Sequence, residues 1–392
     1  MVSDNENKKL LFVTLHYLDG VGGGVFASRA YINAFAEIFK HKNAVTLLYP
    51  VSETHRIEGI DKRVVTTPIS DNDCKWKKLY RLSIGRVHRY FEAFRTMINS
   101  KHYDYVVFDN SRVSFQMIDL AHKHGAKVIT IHHNCELEYN RDNSSSLIKP
   151  ILLYWTKKYE SEAVKKSDIN FVLTPEDRTL MIEKYSLPYS ISEKIRIIGV
   201  FESEQSKLPK IARTYHSPSI NKFIITGNLG AKQSNDSLIN WLNEYYPSLK
   251  LIFPQAKLTI AGKNPSENLR QLCKKLNIEL IASPISMSPL LEKADCYICP
   301  TSLGGGLKLR IMDGLKHGLP VITHSVSARG YHDFIGQGSV ISYNSVESFI
   351  SACQKVKNTT CSKEKVQNLY SNIFSFQSGC NRLLNSYNTD NT

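Results

Sequence analysis

The sequence has no run of eighteen uncharged apolar residues, so no segment reads as a membrane-spanning helix. It is short of acids. Asp and Glu number 36 against 50 Lys and Arg, leaving a formal charge of +14, and a partner of negative charge is expected. Cysteine is sparse, eight in 392 residues and scattered through apolar segments, which argues against a disulfide framework and fits buried free thiols. Cys296 and Cys299 form a C-x-x-C inside "ADCYICP". Their odd separation on a strand sends the side chains to opposite faces, which argues against a redox or zinc pair. Zinc-finger spacing, an RNP-like strand pair and a basic tail are all missing, so nucleic acid is not an expected partner. The opening "MVSDNENKKLLFVTLHYLDG" passes from a polar lead straight into an apolar run, unlike a cleavable signal, and the expectation is a cytoplasmic protein.

What is present is a double series of short, β-branched apolar runs. The first comprises "LLFVTLHYL", "AVTLLYP", "YDYVVFD", "AKVITIHH", "INFVLTP" and "IRIIGV"; the second "KFIITGN", "AKLTIAG", "IELIAS", "ADCYICP", "LPVITHS" and "GSVISY". Segments of helical length separate them, such as Ala27 to Lys40 and "SNDSLINWLNEYY". Continuous apolar strands alternating with helices predict mostly parallel sheets covered on both faces. The fold class expected is therefore α/β, with two Rossmann-like domains facing each other across a cleft at their strand ends. Residues 1–202 form the first domain, the polar, proline-bearing stretch 203–220 is a linker, and 221–362 form the second. A helix within 363–387 is expected to cross back to the first domain.

The densest basic segment covers 76–98, where Trp76, Leu79, Tyr80, Ile84, Val87, Phe91, Phe94 and Ile98 recur at helical spacing among Lys77, Lys78, Arg81, Arg86, Arg89 and Arg95. Two readings stand. The helix packs on the core with a basic solvated back, or its apolar stripe and cations meet an anionic membrane surface, placing the protein peripherally on the inner face of the cell membrane.

Gly304, Gly305 and Gly306 follow a strand and precede "LKLRIMDGLKHG". A glycine turn feeding a helix N-terminus offers free backbone N–H groups to phosphate, and Lys308 and Arg310 are cations where a bare helix start prefers acids. Asp313, further along that helix, can accept hydrogen bonds from a ribose diol. In "LDGVGGGVFAS", Gly22, Gly23 and Gly24 let backbone approach a bound diphosphate ahead of a helix expected to begin near Phe26. His132 and His133 end a strand, and alternation sends them to opposite sides.

"GGGLKLRIMDGLKHGLPVIT" resembles the nucleotide-sugar signature of the retaining, two-domain glycosyltransferases of family 4, which have the GT-B fold. "ITGNLGAKQSNDSLINWL" and "KLTIAGKNP" resemble the first strands of that family's donor-binding domain, and "VITIHHNCELEY" its His-Asn-x-Glu run. The resemblance implies a glycosyltransferase, of hexosyl or N-acetylhexosaminyl type, that moves sugar from a UDP- or GDP-sugar to a hydroxyl of a glycan or lipid-linked acceptor with retention and without a metal or cofactor. It places Gly305, Gly306 and Lys308 near the phosphates, Asp313 at the ribose, and Gly22, Gly23 and Gly24 beneath the phosphates. It makes His133 the residue that meets the transferred sugar, not a nucleophile. Asn134, Glu136 and Glu138 are then in reach of acceptor hydroxyls, and Asp109 and Asn110 are similar strand-end groups; Asp177 reads as a helix brace.

The chain departs from the family pattern in three places. Asp313 stands where Glu is usual, Gly305 where many members carry a second Glu, and Asn228 where an Arg is frequent, leaving Lys232 as the nearest cation there. Phosphate charge then falls to Lys232, Lys308 and Arg310 together. Two other functions remain open at this point, a nucleotide-sugar epimerase of the same architecture and a nucleotide-sugar-binding protein without activity.

Overall fold

The computed structural model describes residues 8–20, 22–51, 57–70, 74, 76, 80, 88–143, 147–210, 220–358 and 362–388. The chain divides into two compact units, Met1–Ser206 with Phe374–Thr392, and Lys207–Ile373.

Unit 1 is built on a seven-stranded parallel sheet in the order β3-β2-β1-β4-β5-β6-β7. Its strands are β1 (Leu10–Thr14), β2 (Val45–Val51), β3 (Val65–Ser70), β4 (Tyr105–Asp109), β5 (Lys127–His132), β6 (Ile169–Val172) and β7 (Ile195–Ile197). Every residue of β1 and β4 is buried, because helices cover both faces of a parallel sheet and leave no side for polar alternation. The helices that bear on function here are α1 (Gly23–Phe39), α2 (His88–Ser100), α3 (Glu136–Asn143) and α4 (Lys149–Lys166).

Residues 88–98 of the basic segment lie in α2, which buries Tyr90, Phe94 and Ile98 in a cluster with Leu11, Val106 and Phe108. Trp76 and Tyr80 are exposed. The expected membrane-facing stripe rests mainly on residues 77–79 and 81–87, which lie outside the described residues.

Unit 2 repeats the plan with six parallel strands in the order β10-β9-β8-β11-β12-β13. These are β8 (Lys222–Asn228), β9 (Lys257–Lys263), β10 (Glu279–Ala282), β11 (Cys296–Cys299), β12 (Val321–His324) and β13 (Val340–Tyr343). Its core gathers Phe223, Leu238, Trp241, Ile260, Ile298 and Phe349. Two helices of this unit matter below, α5 (Lys232–Glu244) and α6 (Arg310–Lys316). Near the end of the chain, α7 (Lys363–Phe374) lies almost wholly in unit 2, and α8 (Phe376–Asn388) returns to unit 1. There Arg382 donates to the carbonyls of Ile198 and Val200. Among the described residues no helix is long and apolar enough to cross a membrane, and six of the seven cysteines are buried thiols.

Candidate functional site

In each unit the first strand sits centrally, with the chain running to opposite sides of it, so the sheet has a switch point beside that strand. In unit 1 it lies between β1 and β4, in unit 2 between β8 and β11. Both carry an ionic side chain held by hydroxyls.

At the unit 1 switch point that side chain is Asp109, the last residue of β4 and fully buried. Its Oδ2 accepts from Thr14 Oγ1 at the end of β1 (2.7 Å) and from Ser28 Oγ of α1 (2.5 Å). Its Oδ1 is 2.6 Å from His133 Nε2, just beyond β5. Burial opposes the charge of Asp109. The His133 imidazolium, the hydrogen bond between them, His16 and the Ser28 hydroxyl outweigh that penalty and pull the carboxyl down to about 2. His133 answers in kind: burial favours its neutral form, but the Asp109 charge, the hydrogen bond to Asp109 and the charge of Glu136 raise its pKa. His16 stacks on His133 with ring centroids 5.0 Å apart, and burial keeps its pKa low. Among the described residues Nδ1 of His133 has no hydrogen-bond partner. The Oδ1 of Asn134 is buried without a partner.

The glycines of this unit meet the same cluster. Helix α1 begins at Gly23, three residues before the Phe26 start expected from sequence, so Gly23 and Gly24 belong to its first turn. A Cβ on Gly24 would lie 2.0 Å from His16 Cε1, so only glycine lets the helix pass this close to the ring. The helix start has Gly22 as its N-cap, no side-chain cap and no acid in its first turn. Glu136 accepts from Asn110 Nδ2 (3.1 Å), and burial raises its pKa. Glu138 instead pairs with Lys184 and Arg141, and Asp177 braces its helix start through Thr174. His132 is turned away to Asn170 on β6, as strand alternation requires.

His16, Asp109 and His133 also offer three ligand atoms within 4.8 Å of one another, a set that bears on the expectation of no metal. The carboxylate's hydrogen bonds point another way. Both oxygens of Asp109 already accept from Thr14, Ser28 and His133, and a cation would have to displace the proton His133 shares with it. The arrangement is that of a histidine clamped by a carboxylate, which favours its protonated form.

The unit 2 switch point carries Arg310, the first residue of α6. Its guanidinium donates to Ser234 Oγ of α5 (2.9 Å) and to Thr301 Oγ1 beyond β11 (3.2 Å). A Cβ on Gly227 would sit 2.9 Å from Arg310 Nη1, so the absence of a side chain at the end of β8 makes room for the cation. Asn228 and Lys232 are exposed beside it. Lys232 opens α5, whose N-terminus has no side-chain cap and no acid in its first turn. Lys308 turns back on its own loop and donates to the Gly305 carbonyl (2.9 Å). Gly304 and Gly306 take positive φ, 84° and 68°, while Gly305 faces open space. Leu307 to Leu309 separate the glycine turn from α6, so the N-terminus that follows β8 is the longer one in this unit's site. Asp313 is exposed on α6.

Sequence reasoning brought Asp109 and His133 to strand ends but did not pair them, and it missed His16, Thr14 and Ser28. Adjacency of β1, β4 and β5 is the signal that unites them.

Residues 220–358 match the family described as "Glycosyl transferases group 1". An uncharacterized 44.6 kDa protein in the cps region of Klebsiella pneumoniae is 26% identical over 294 residues, which are 70% of this chain and 71% of that protein. Among solved structures, sucrose-phosphate synthase from Thermosynechococcus elongatus superposes with a TM-score of 0.70 at 12% identity, over 98% of this chain and 99% of that one. HepE of Anabaena in complex with UDP superposes with a TM-score of 0.64 at 11% identity, over 97% and 100%.

Proposed function

We propose that this protein, whose residues 220–358 match the glycosyl transferases group 1 family within a chain of GT-B fold, transfers a sugar from a nucleoside diphosphate-sugar to a hydroxyl group, with retention at the anomeric carbon. The observation that carries this reading is Arg310, a guanidinium fixed at the unit 2 switch point by Ser234 and Thr301 beside the uncapped start of α5. Such a point suits a diphosphate, because a fixed cation and a helix start without a side-chain cap need no rearrangement to meet its charge.

In the reaction, the bond between the anomeric carbon and the diphosphate oxygen breaks as the acceptor oxygen bonds to that carbon. The acceptor's proton passes to the departing diphosphate. Arg310, Lys308 and Lys232 stabilise the charge that accumulates there, and Asp313 holds the ribose. In unit 1, His133 is the hydrogen-bond donor to the transferred sugar, its protonated form favoured by the Asp109 carboxylate. The acceptor is a glycan or a lipid-linked molecule that offers a hydroxyl group. The donor's base is uracil or guanine.

Calorimetric titration with UDP and GDP, followed by NMR of the product formed from the matching donor sugar and a soluble acceptor, tests the proposal. The expected result is micromolar to millimolar binding of one nucleotide and a product whose anomeric configuration equals the donor's. Binding without transfer reduces the function to recognition, an epimerised nucleotide-sugar makes the protein an epimerase, and an inverted product ends the claim of retention.

A further inference from the structure

Helix α4 turns two unlike faces to its surroundings. One packs inward, burying Thr156, Tyr159, Glu160, Ala163 and Val164. The other leaves large apolar side chains in water. Leu147 is 92% exposed, Ile151 49% and Tyr154 62%, and Ile148 is exposed beside them. Ile151 and Tyr154 are three residues apart on the helix and share one stripe, Lys158 continues it one turn further on, and Leu147 and Ile148 lie in the turn that leads into the helix. Exposed hydrophobics in isolation mean little, but a run of them on one helical face marks a surface built to meet something.

The charges on the same stretch narrow the choice. From Leu147 to Tyr159 there is no acid, whereas Lys149, Lys157 and Lys158 are present. Lys157 and Lys158 are exposed, and Lys158 Nζ lies 5.1 Å from the centre of the Trp155 ring. Protein interfaces are depleted of lysine at their cores. Apolar and aromatic side chains rimmed by lysines suit the boundary of an anionic bilayer, with the rings and aliphatic groups among the headgroups and the ammonium groups over the phosphates.

We propose that the outer face of α4 together with the turn that leads into it, centred on Leu147, Ile151 and Tyr154 and rimmed by Lys157 and Lys158, is the surface by which this protein docks on a membrane of anionic lipid. This is a different surface from the basic 76–98 segment. It also has a link to the unit 1 site. From the inner face of the same helix, Glu160 accepts the backbone N–H groups of Glu136 and Leu137, fixing the start of α3 three residues after His133. A helix lying on lipid therefore braces the segment next to which a lipid-borne acceptor would have to be held.

Co-sedimentation with vesicles of phosphatidylglycerol and phosphatidylcholine, without nucleotide, tests the proposal on the full chain. The wild-type protein is expected to pellet with these vesicles, to bind vesicles of phosphatidylcholine alone far less, and to be released by salt. The triple variant Leu147→Ser, Ile151→Ser, Tyr154→Ser should bind at least about tenfold more weakly. Lys157→Glu with Lys158→Glu should weaken binding by a similar factor on anionic vesicles only. These positions are exposed, and an unchanged melting temperature checks that the variants fold. Absence of wild-type binding, or wild-type binding by the triple variant, overturns the proposal. So does a wild-type dimer that the triple variant turns into a monomer while vesicles capture neither, since the face would then belong to a second copy. Because nucleotide is absent, the outcome is independent of whether the transferase reading holds, and UDP or GDP calorimetry on the same variants reports on that reading separately.

Discussion

The two units share one strand order but place opposite charges at the same point of it. In unit 1 a carboxylate, Asp109, sits at the switch point, gripped by a hydroxyl from the first strand and another from the helix that follows. In unit 2 a guanidinium, Arg310, sits there, gripped by a hydroxyl beyond the fourth strand and another from the helix after the first. The frame supplies the location and the convergence of strand ends. The sign of the charge is set by single residues, and with it the kind of group each end attracts: the His133 ring in unit 1 and, in the proposed function, a diphosphate in unit 2. The scaffold therefore cannot be read as function until the residue at the switch point is named.

The largest expected effect comes from removing the unit 1 charge. Asp109→Asn keeps an acceptor for Thr14 and Ser28 but takes from His133 the anion that holds it protonated. Turnover should fall on the order of 100-fold, while nucleotide affinity, assigned to unit 2 in the proposed function, changes by no more than about twofold. His133 has its pKa raised above the ordinary 6.5, so its protonated form is present below that value and is lost as pH rises through the raised pKa. In Asp109→Asn the alkaline limb of the pH–rate profile should move toward acid, and the histidine resonances should titrate at lower pH. An unmoved limb together with unmoved resonances would show that Asp109 only packs. His133→Ala should reproduce the loss of turnover without reproducing the pH shift.

The converse substitutions lie in unit 2. Arg310→Ala should weaken nucleotide binding by about 10- to 100-fold, the usual size for losing charge-assisted hydrogen bonds. Lys308→Ala should cost less, because the ammonium is turned onto the Gly305 carbonyl while Arg310 stands between two strand ends. Calorimetry on both variants ranks them, and a larger loss for Lys308→Ala would mean that the loop rearranges to put the lysine on the phosphates. That outcome would break the symmetry between the switch points.

How far the chain announced this arrangement depends on the kind of signal. Strands with continuous apolar runs, such as "LLFV" and "YVVF", were legible because burial on both faces leaves no side for polar alternation. The strand β3, "VTTPIS", was not: it is an edge strand, half polar, with Pro68 in it, and edge positions tolerate both. The glycines and cations after β11 could be read as a group because they adjoin in sequence. Asp109 and His133 could not, since 24 residues separate them and only the pairing of β4 with β5 unites them. His16 carried still less signal, being a lone histidine two residues past a strand, and its role rests on Gly24 giving it space.

The smallest effect sharpens the comparison on the side of stability. Among the described residues, every buried carboxylate lies in unit 1: Asp109, Glu160 and Asp177. Asp109 is depressed, so its stabilisation is present above its ordinary 3.8 and fades as pH falls toward about 2. Glu160 behaves oppositely. Burial pushes its carboxyl from 4.5 up to about 7, against the hydrogen bonds from Tyr185 and from the N–H groups of Glu136 and Leu137. The native state then holds this proton more tightly than the unfolded chain, so its contribution is full below 4.5 and is lost as pH climbs through about 7. Unit 1 should lose on the order of 2 kcal/mol across that window through Glu160, and Glu160→Gln should flatten the slope. Hydrogen exchange at the Glu136 and Leu137 amides reads this locally, because those two groups donate to the carboxyl in question. Their protection should drop between pH 4.5 and about 7 in the wild type, after correction for the intrinsic rate, and hold steady in Glu160→Gln. Unit 2 amides serve as the internal control, and an equal drop there would assign the pH dependence to the whole chain instead of to the buried acid of unit 1.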